Sequence, residues 1–104
     1  MESPHVGLHY MHLICEVEEI FEVNGVGCVI CPGIPHDFPH PVRSSVALVI
    51  ETPMGDRIET TLQNLMWVRG GKQRLHDPFS IAGDIQKTDI PLGSRVFLLH
   101  GSKT

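Results

Sequence analysis

Prolines and glycines interrupt this chain so often that few windows can hold three turns of helix. Eight prolines and ten glycines are spread over 104 residues. Each proline removes a backbone donor, and each glycine brings conformational freedom that a helix would have to freeze. Between these breaks the β-branched and apolar residues gather into short runs bounded by turn signals. The pattern predicts an all-β protein, a small closed antiparallel barrel of about six or seven short strands. Closure would also remove the unpaired edges that invite aggregation.

The runs can be placed in order. Residues 1–12 are expected to form a flexible arm, residues 13–100 the single barrel domain, and residues 101–104 a tail. The first strand is expected over Leu13 to Val23, with Leu13, Cys15, Val17, Phe21 and Val23 on one face. Glu19 breaks that alternation and Ile20 interrupts the acidic face; a bulge near Glu18-Glu19 would reconcile the two halves by shifting which face the side chains take. Asn24 and Gly25 start a turn, and Gly27 to Ile30 returns. Pro32 to Pro41 reads as a loop, because proline donates no ladder bond. Val46 to Thr52 reads as a buried strand, Pro53 to Asp56 as a turn, and Arg57 to Val68 as the returning strand, kinked near Asn64. A polar loop over Arg69 to Pro78 then leads to short strands at Phe79 to Ile81, Asp84 to Lys87 and Ser94 to Leu99.

The length suits one domain, able to bury roughly 65 % of its unfolded surface without staples. The net charge of −4 argues against a general phosphate-binding surface, so DNA is not expected and RNA is only weakly supported. Arg69, Lys72 and Arg74 form a local basic stretch that reads as a solvated loop. No apolar run approaches the roughly 20 residues a membrane helix needs. The first residues lack the basic start and apolar segment of a signal peptide. Three cysteines, an odd count, fit free thiols in a reducing compartment, so a cytoplasmic location is expected.

The order of elements resembles the second domain of elongation factor Tu and related translational GTPases, a small antiparallel β barrel. Val17-Glu18-Glu19-Ile20-Phe21-Glu22-Val23 followed by Gly25-Val26-Gly27-Cys28-Val29 is similar to the family's first hairpin. Ser45 to Met66 resembles its central hairpin, and Ile85 to Phe97 its closing segment. Val26 stands where the family usually has arginine, and the loop of prolines and histidines has no family counterpart. No GTPase domain is expected within these 104 residues. Gly70-Gly71-Lys72-Gln73 and Gly101-Ser102-Lys103-Thr104 both lack the earlier glycine of a phosphate-binding loop, so GTP hydrolysis is not expected.

The resemblance implies a ligand-binding rim at Glu18, Glu19, Phe21 and Cys31, the positions matching the pocket for the aminoacyl end of transfer RNA. Paired carboxylates beside an aromatic ring suit a small cationic or amphipathic group. Read without the family, Glu16, Glu18 and Glu22 are also simply the wet face of a half-buried strand.

Cys28-x2-Cys31 followed by His36-x3-His40 offers a different reading, a compact zinc-type set of thiolates and imidazoles. Residues three apart point to opposite faces of a strand, and the gap from Cys31 to His36 is shorter than in common fingers. No metal or other cofactor is therefore assigned. His5, His9 and His12 would share a face of a helix, but Pro4 and Gly7 disfavour that helix. A cysteine nucleophile would need a neighbouring base, and Cys31 with His36 or His40 is the only local pair. No oxyanion hole or orienting acid stands at recognisable spacing, so an enzyme is not expected.

The sequence thus predicts a non-catalytic binding module that takes a protein partner or small ligand at the first hairpin. The alternatives are a small metal-binding protein using Cys28, Cys31, His36 and His40, or a homo-oligomerising module with the proline-rich loop and Trp67 region as contact surface.

Overall fold

A computed structural model of the chain describes residues 9–66 and 75–101. The described residues are all-β: seven antiparallel strands form one sheet in the order β1-β7-β4-β5-β6-β3-β2. The strands are β1 (His9–Glu16), β2 (Glu19–Val23), β3 (Gly27–Pro35), β4 (Ala47–Glu51), β5 (Arg57–Leu65), β6 (His76–Ile81) and β7 (Arg95–Gly101). Two long strands carry the sheet around. β5 pairs with β4 through Arg57 to Thr61 and with β6 through Leu62 to Leu65. β3 pairs with β2 through Gly27 to Cys31 and with β6 as far as Pro35.

Alternation along the strands sets the core. Leu48 and Ile50 of β4, Val96 and Leu98 of β7, Leu62 of β5, and Phe79 and Ile81 of β6 all point inward and are buried. Ile20 and Ile30, paired across β2 and β3, join them. At roughly 1.5–3 kcal/mol for each fully buried aliphatic or aromatic side chain, this cluster is the main favourable term in folding.

The expected first strand is divided. β1 ends at Glu16 and β2 starts at Glu19, so the break falls at Val17-Glu18. The bulge lies not at Glu18-Glu19 but at Ile14, where the β1–β7 register jumps between Leu13/Phe97 and Cys15/Val96. That extra residue turns Leu13 out, 53 % exposed, while Ile14, Cys15 and Val17 are buried; a second change of face across the Val17-Glu18 break buries Ile20 and leaves Phe21 and Val23 48 % and 41 % exposed. Within the expected arm, His9 to His12 belong to β1, because β7 continues to Gly101 and supplies partners that far. Residues 1–8 lie outside the described residues.

Pro32 and Pro35, expected in a loop, lie within β3. The β2 ladder ends at the Glu19–Cys31 pair, so beyond Cys31 one side of β3 has no β2 partner to serve. Pro32, joined to Cys31 by a cis peptide bond, sits inside the register shift between Ile30 and Ile34. Gly33 (φ 108°) packs against β6 so closely that a Cβ there would fall on the carbonyl of Asp77.

The kink expected near Asn64 is a bulge at Gln63, between the Leu62–Ile81 and Asn64–Ser80 pairs. The buried Ser80 hydroxyl accepts the Asn64 N–H at 3.2 Å and closes the distortion. The turn at Pro53 to Asp56 also forms where expected, with the Gly55 N–H donating to the Thr52 carbonyl at 2.9 Å. Asp84 to Lys87, expected as a strand, is a turn leading into a 3-10 segment, Lys87–Asp89. The Asp89 carboxylate accepts the Gln86 N–H at 2.9 Å, a local bond that competes with strand pairing. Trp67 and the basic stretch Arg69, Lys72 and Arg74 lie outside the described residues, while His76 to Pro78, expected in the polar loop, open β6.

Candidate functional site

The β2–β3 hairpin is built by its turn. Val26 N–H donates to the Val23 carbonyl at 2.9 Å, and Gly25 takes the positive φ of 81° that a type II turn puts at its third residue. Gly27, at φ 108°, then passes close to the Ile81 carbonyl. The register that follows sets Glu19 opposite Cys31 and Phe21 opposite Val29. Because alternate residues share a face, Glu19, Phe21 and Cys31 lie on the same side of the hairpin. Glu18 precedes this ladder, with an exposed side chain and its N–H bonded to the Cys31 carbonyl at 2.9 Å.

Beside the hairpin runs an open groove of about 480 Å³. Glu19, Ile20 and Phe21 form one wall, and Lys87, Thr88, Ile90, Pro91 and Leu92 form the other. Two of the four sequence-predicted rim residues, Glu19 and Phe21, thus line one cavity; Glu18 and Cys31 do not line it. Phe21 at 48 % and Leu92 at 63 % exposure are apolar surfaces at its mouth. The opposite wall is held in place by the Lys87 N–H, which donates to a Glu22 carboxylate oxygen at 3.1 Å. The Cys28 thiol donates to the Ile85 carbonyl at 3.4 Å and ties the same loop to β3. Sequence reasoning missed this wall. The Pro91-Leu92-Gly93 turn marks a loop in the sequence, but no local signal says that the loop packs along β2.

A second hollow of about 500 Å³ surrounds the hairpin turn, with Glu22, Gly25, Gly27, Gly83 and Gln86 among its lining. It is more polar and carries no aromatic side chain. Chemically, the first groove offers a carboxylate and a phenyl ring on one wall, and on the other the aliphatic surface of Ile90, Pro91 and Leu92 with Lys87 and Thr88 at its start. The Glu19–Phe21 wall suits the positive end of an apolar group.

All three thiols are held in their neutral form. Burial, with minor contributions from Cys31 and Glu18, pushes Cys15 up to about 11. Burial raises Cys28 as well, reinforced by Glu22. Cys31 is raised by burial first and by the Glu19 carboxylate second. A thiol so shifted is a poor nucleophile and a reluctant metal ligand at neutral pH.

The four residues of the zinc-type spacing do not come together. Cys28 is buried in the core and bonded to Ile85, while Cys31 takes the opposite face. His36 Nε2 lies 3.2 Å from Asp77 Oδ1. The His40 ring stacks on His12 with centroids 3.8 Å apart and meets Phe38 edge-on. Among the described residues no three histidine, cysteine or acidic side chains form a group able to hold a metal ion. His12 is a half-buried strand residue, not part of an exposed arm.

No family model, no curated protein and no solved structure matches the chain.

Proposed function

We infer that this chain is a non-catalytic binding module, a barrel of the elongation-factor type, whose groove between β2 and the 87–92 segment takes a small cationic, amphipathic group, free or presented by a protein partner. The observation that carries this reading is the meeting of Glu19 and Phe21 with Ile90 and Leu92 in one open groove. The groove has an acidic end and an aromatic face, and such a pair attracts an ammonium group attached to an apolar body. The raised thiols support a role without covalent chemistry.

Ring closure of the barrel is supported by the chain path at the two terminal strands. β1 and β2 are consecutive, separated only by Val17 and Glu18. Val17 N–H donates to Ser94 O on the β7 side at 2.7 Å, and Glu18 N–H donates to Cys31 O of β3 at 2.9 Å. One continuous run of backbone therefore bonds to both ends of the sheet.

Titration of the isotopically labelled chain with phenethylamine, a minimal apolar ammonium, tests the site. Amide shifts should concentrate at Glu19, Phe21, Ile90 and Leu92, and Phe21→Ala with Glu19→Gln should abolish them. Shifts centred elsewhere, or unchanged in the double variant, would remove the groove from the function.

A further inference from the structure

We propose that the group bound in the groove is carried on an extended, lysine- or arginine-rich segment of a partner protein, which lies along β2 and fills the hollow at the hairpin turn as well as the groove. The inference rests on the groove reading above and adds to it the class of partner and a second subsite.

The groove and the hollow form one track. Val17 ties its start to the opposite wall in both directions, donating its N–H to the Ser94 carbonyl at 2.7 Å and accepting the Gly93 N–H at 2.9 Å. Past that joint β2 and the 83–92 segment stand as two walls. Phe21 and Lys87 line the groove where Glu22 and Gln86 line the hollow, so the two spaces meet at consecutive residues on both sides. The step between them is the bond from the Lys87 N–H to the Glu22 carboxylate. From Glu19 to Gly25, at about 3.3 Å per residue, the track is roughly 20 Å long. A single ammonium on an aromatic body occupies only one end of it.

Charge selects a cationic occupant. Residues 17–27 and 83–93 carry five carboxylates, Glu18, Glu19, Glu22, Asp84 and Asp89, against the one ammonium of Lys87. Five against one leaves −4, which equals the net charge of the whole chain with histidine neutral. The remaining residues therefore balance, and the excess negative charge is concentrated on the two walls of the track. Such a field draws in cations and repels nucleic acid and anionic lipid.

The lining of the hollow selects a peptide among cations. Asn24 and Gln86 each bring an amide, donor and acceptor together, which matches the N–H and C=O of a main chain. Gly25 and Gly83 have nothing within 4 Å of the place a Cβ would take, so a main chain has room to lie against them. A polyamine offers no carbonyl to those amides and no apolar side chain to Phe21. In an extended peptide, side chains two residues apart share a face. One basic and one apolar side chain at that spacing match Glu19 and Phe21, which are themselves two residues apart on one face of β2.

The test titrates the isotopically labelled full chain with the peptide acetyl-Lys-Ser-Leu-Ser-Lys-amide, whose sequence reads the same in both directions. Parallel titrations use its counterpart with glutamate for lysine, spermidine, and phenethylamine. The lysine peptide should shift the amides of Gly25, Gly83 and Gln86 as well as those of Glu19 and Phe21. At low salt it should bind at least about tenfold more tightly than phenethylamine, and the advantage should shrink as salt screens the walls. Gly83→Leu fills the hollow at a position with open space and no left-handed φ. It should remove the peptide's advantage while phenethylamine binds as before, and a circular dichroism melt would confirm that the variant is folded. Phenethylamine shifts in the groove with no added affinity for the peptide, or an advantage that survives Gly83→Leu, would overturn the proposal and leave the groove reading standing. So would spermidine or the glutamate peptide binding as tightly as the lysine peptide. Phenethylamine that shifts nothing in the groove would overturn the groove reading and this proposal with it.

Discussion

Cys31 is half-exposed, whereas Cys15 and Cys28 are buried, so reagents reach Cys31 first. Its thiol is raised by its partly buried setting and then by the carboxylate of Glu19, its cross-strand partner. Removing the negative charge while keeping the shape, as in Glu19→Gln, lowers the cost of forming the thiolate. The pH–rate curve for alkylation by iodoacetamide should therefore move to lower pH, with faster reaction in mildly alkaline buffer. Mass-spectrometric mapping of the label checks it; an unmoved curve would mean that the pair does not face each other in solution. The hairpin was legible in the sequence as an alternating strand, a glycine turn and a returning strand, but the pairing of Glu19 with Cys31 was not, because the returning strand was expected to end at Ile30. The depth of the thiol was not, because it depends on segments far away in the chain.

Bulges and prolines decide the faces of individual strands. Alternation alone puts Leu13, Phe21 and Val23 inside, yet the extra residue at Ile14 turns Leu13 out and the break at Val17-Glu18 turns out Phe21 and Val23. A one-residue slip exchanges every inward side chain for an outward one, and a local pattern with apolar residues on both faces cannot reveal it. β4 and the Pro53–Asp56 turn were legible because Val46 to Ile50 is apolar throughout and the turn chemistry is strong. The 84–89 segment was not, because its apolar Ile85 suggested pairing while Asp89 captured the backbone locally. β3 gives the sharpest test at this scale. Gly33→Ala would drive a Cβ into the Asp77 carbonyl as well as strain φ, and should cost about 2–4 kcal/mol. Gly25→Ala also has a positive φ but open space around it, and should cost only about 1–2 kcal/mol. Urea unfolding of both variants separates steric conflict from backbone strain; equal losses would mean that β3 does not approach β6 as described.

For the molecule as a whole, the deciding question is whether the sheet has two free ends. Its order places β1 and β2 last on either side, although they are consecutive in the chain. Free edge strands expose backbone donors that exchange readily and template aggregation. A ring drawn together at Val17-Glu18 does neither, because those two donors are bonded to Ser94 and Cys31. Val17 is also buried at 1 % exposure, so its amide is shielded as well as bonded. In native-state hydrogen exchange, Val17 and Glu18 should therefore be protected nearly as well as the core amides of Ile30 and Val96, which open only in global unfolding. Glu18→Pro deletes the bond to Cys31 while leaving Val17 bonded to Ser94. It should lower protection across β2 and the β2 side of β3 while β4, β5 and β7 keep theirs. Rapid exchange at Val17 and Glu18 in the unmodified chain would mean that the sheet is open, and would remove the barrel on which the translation-factor reading rests.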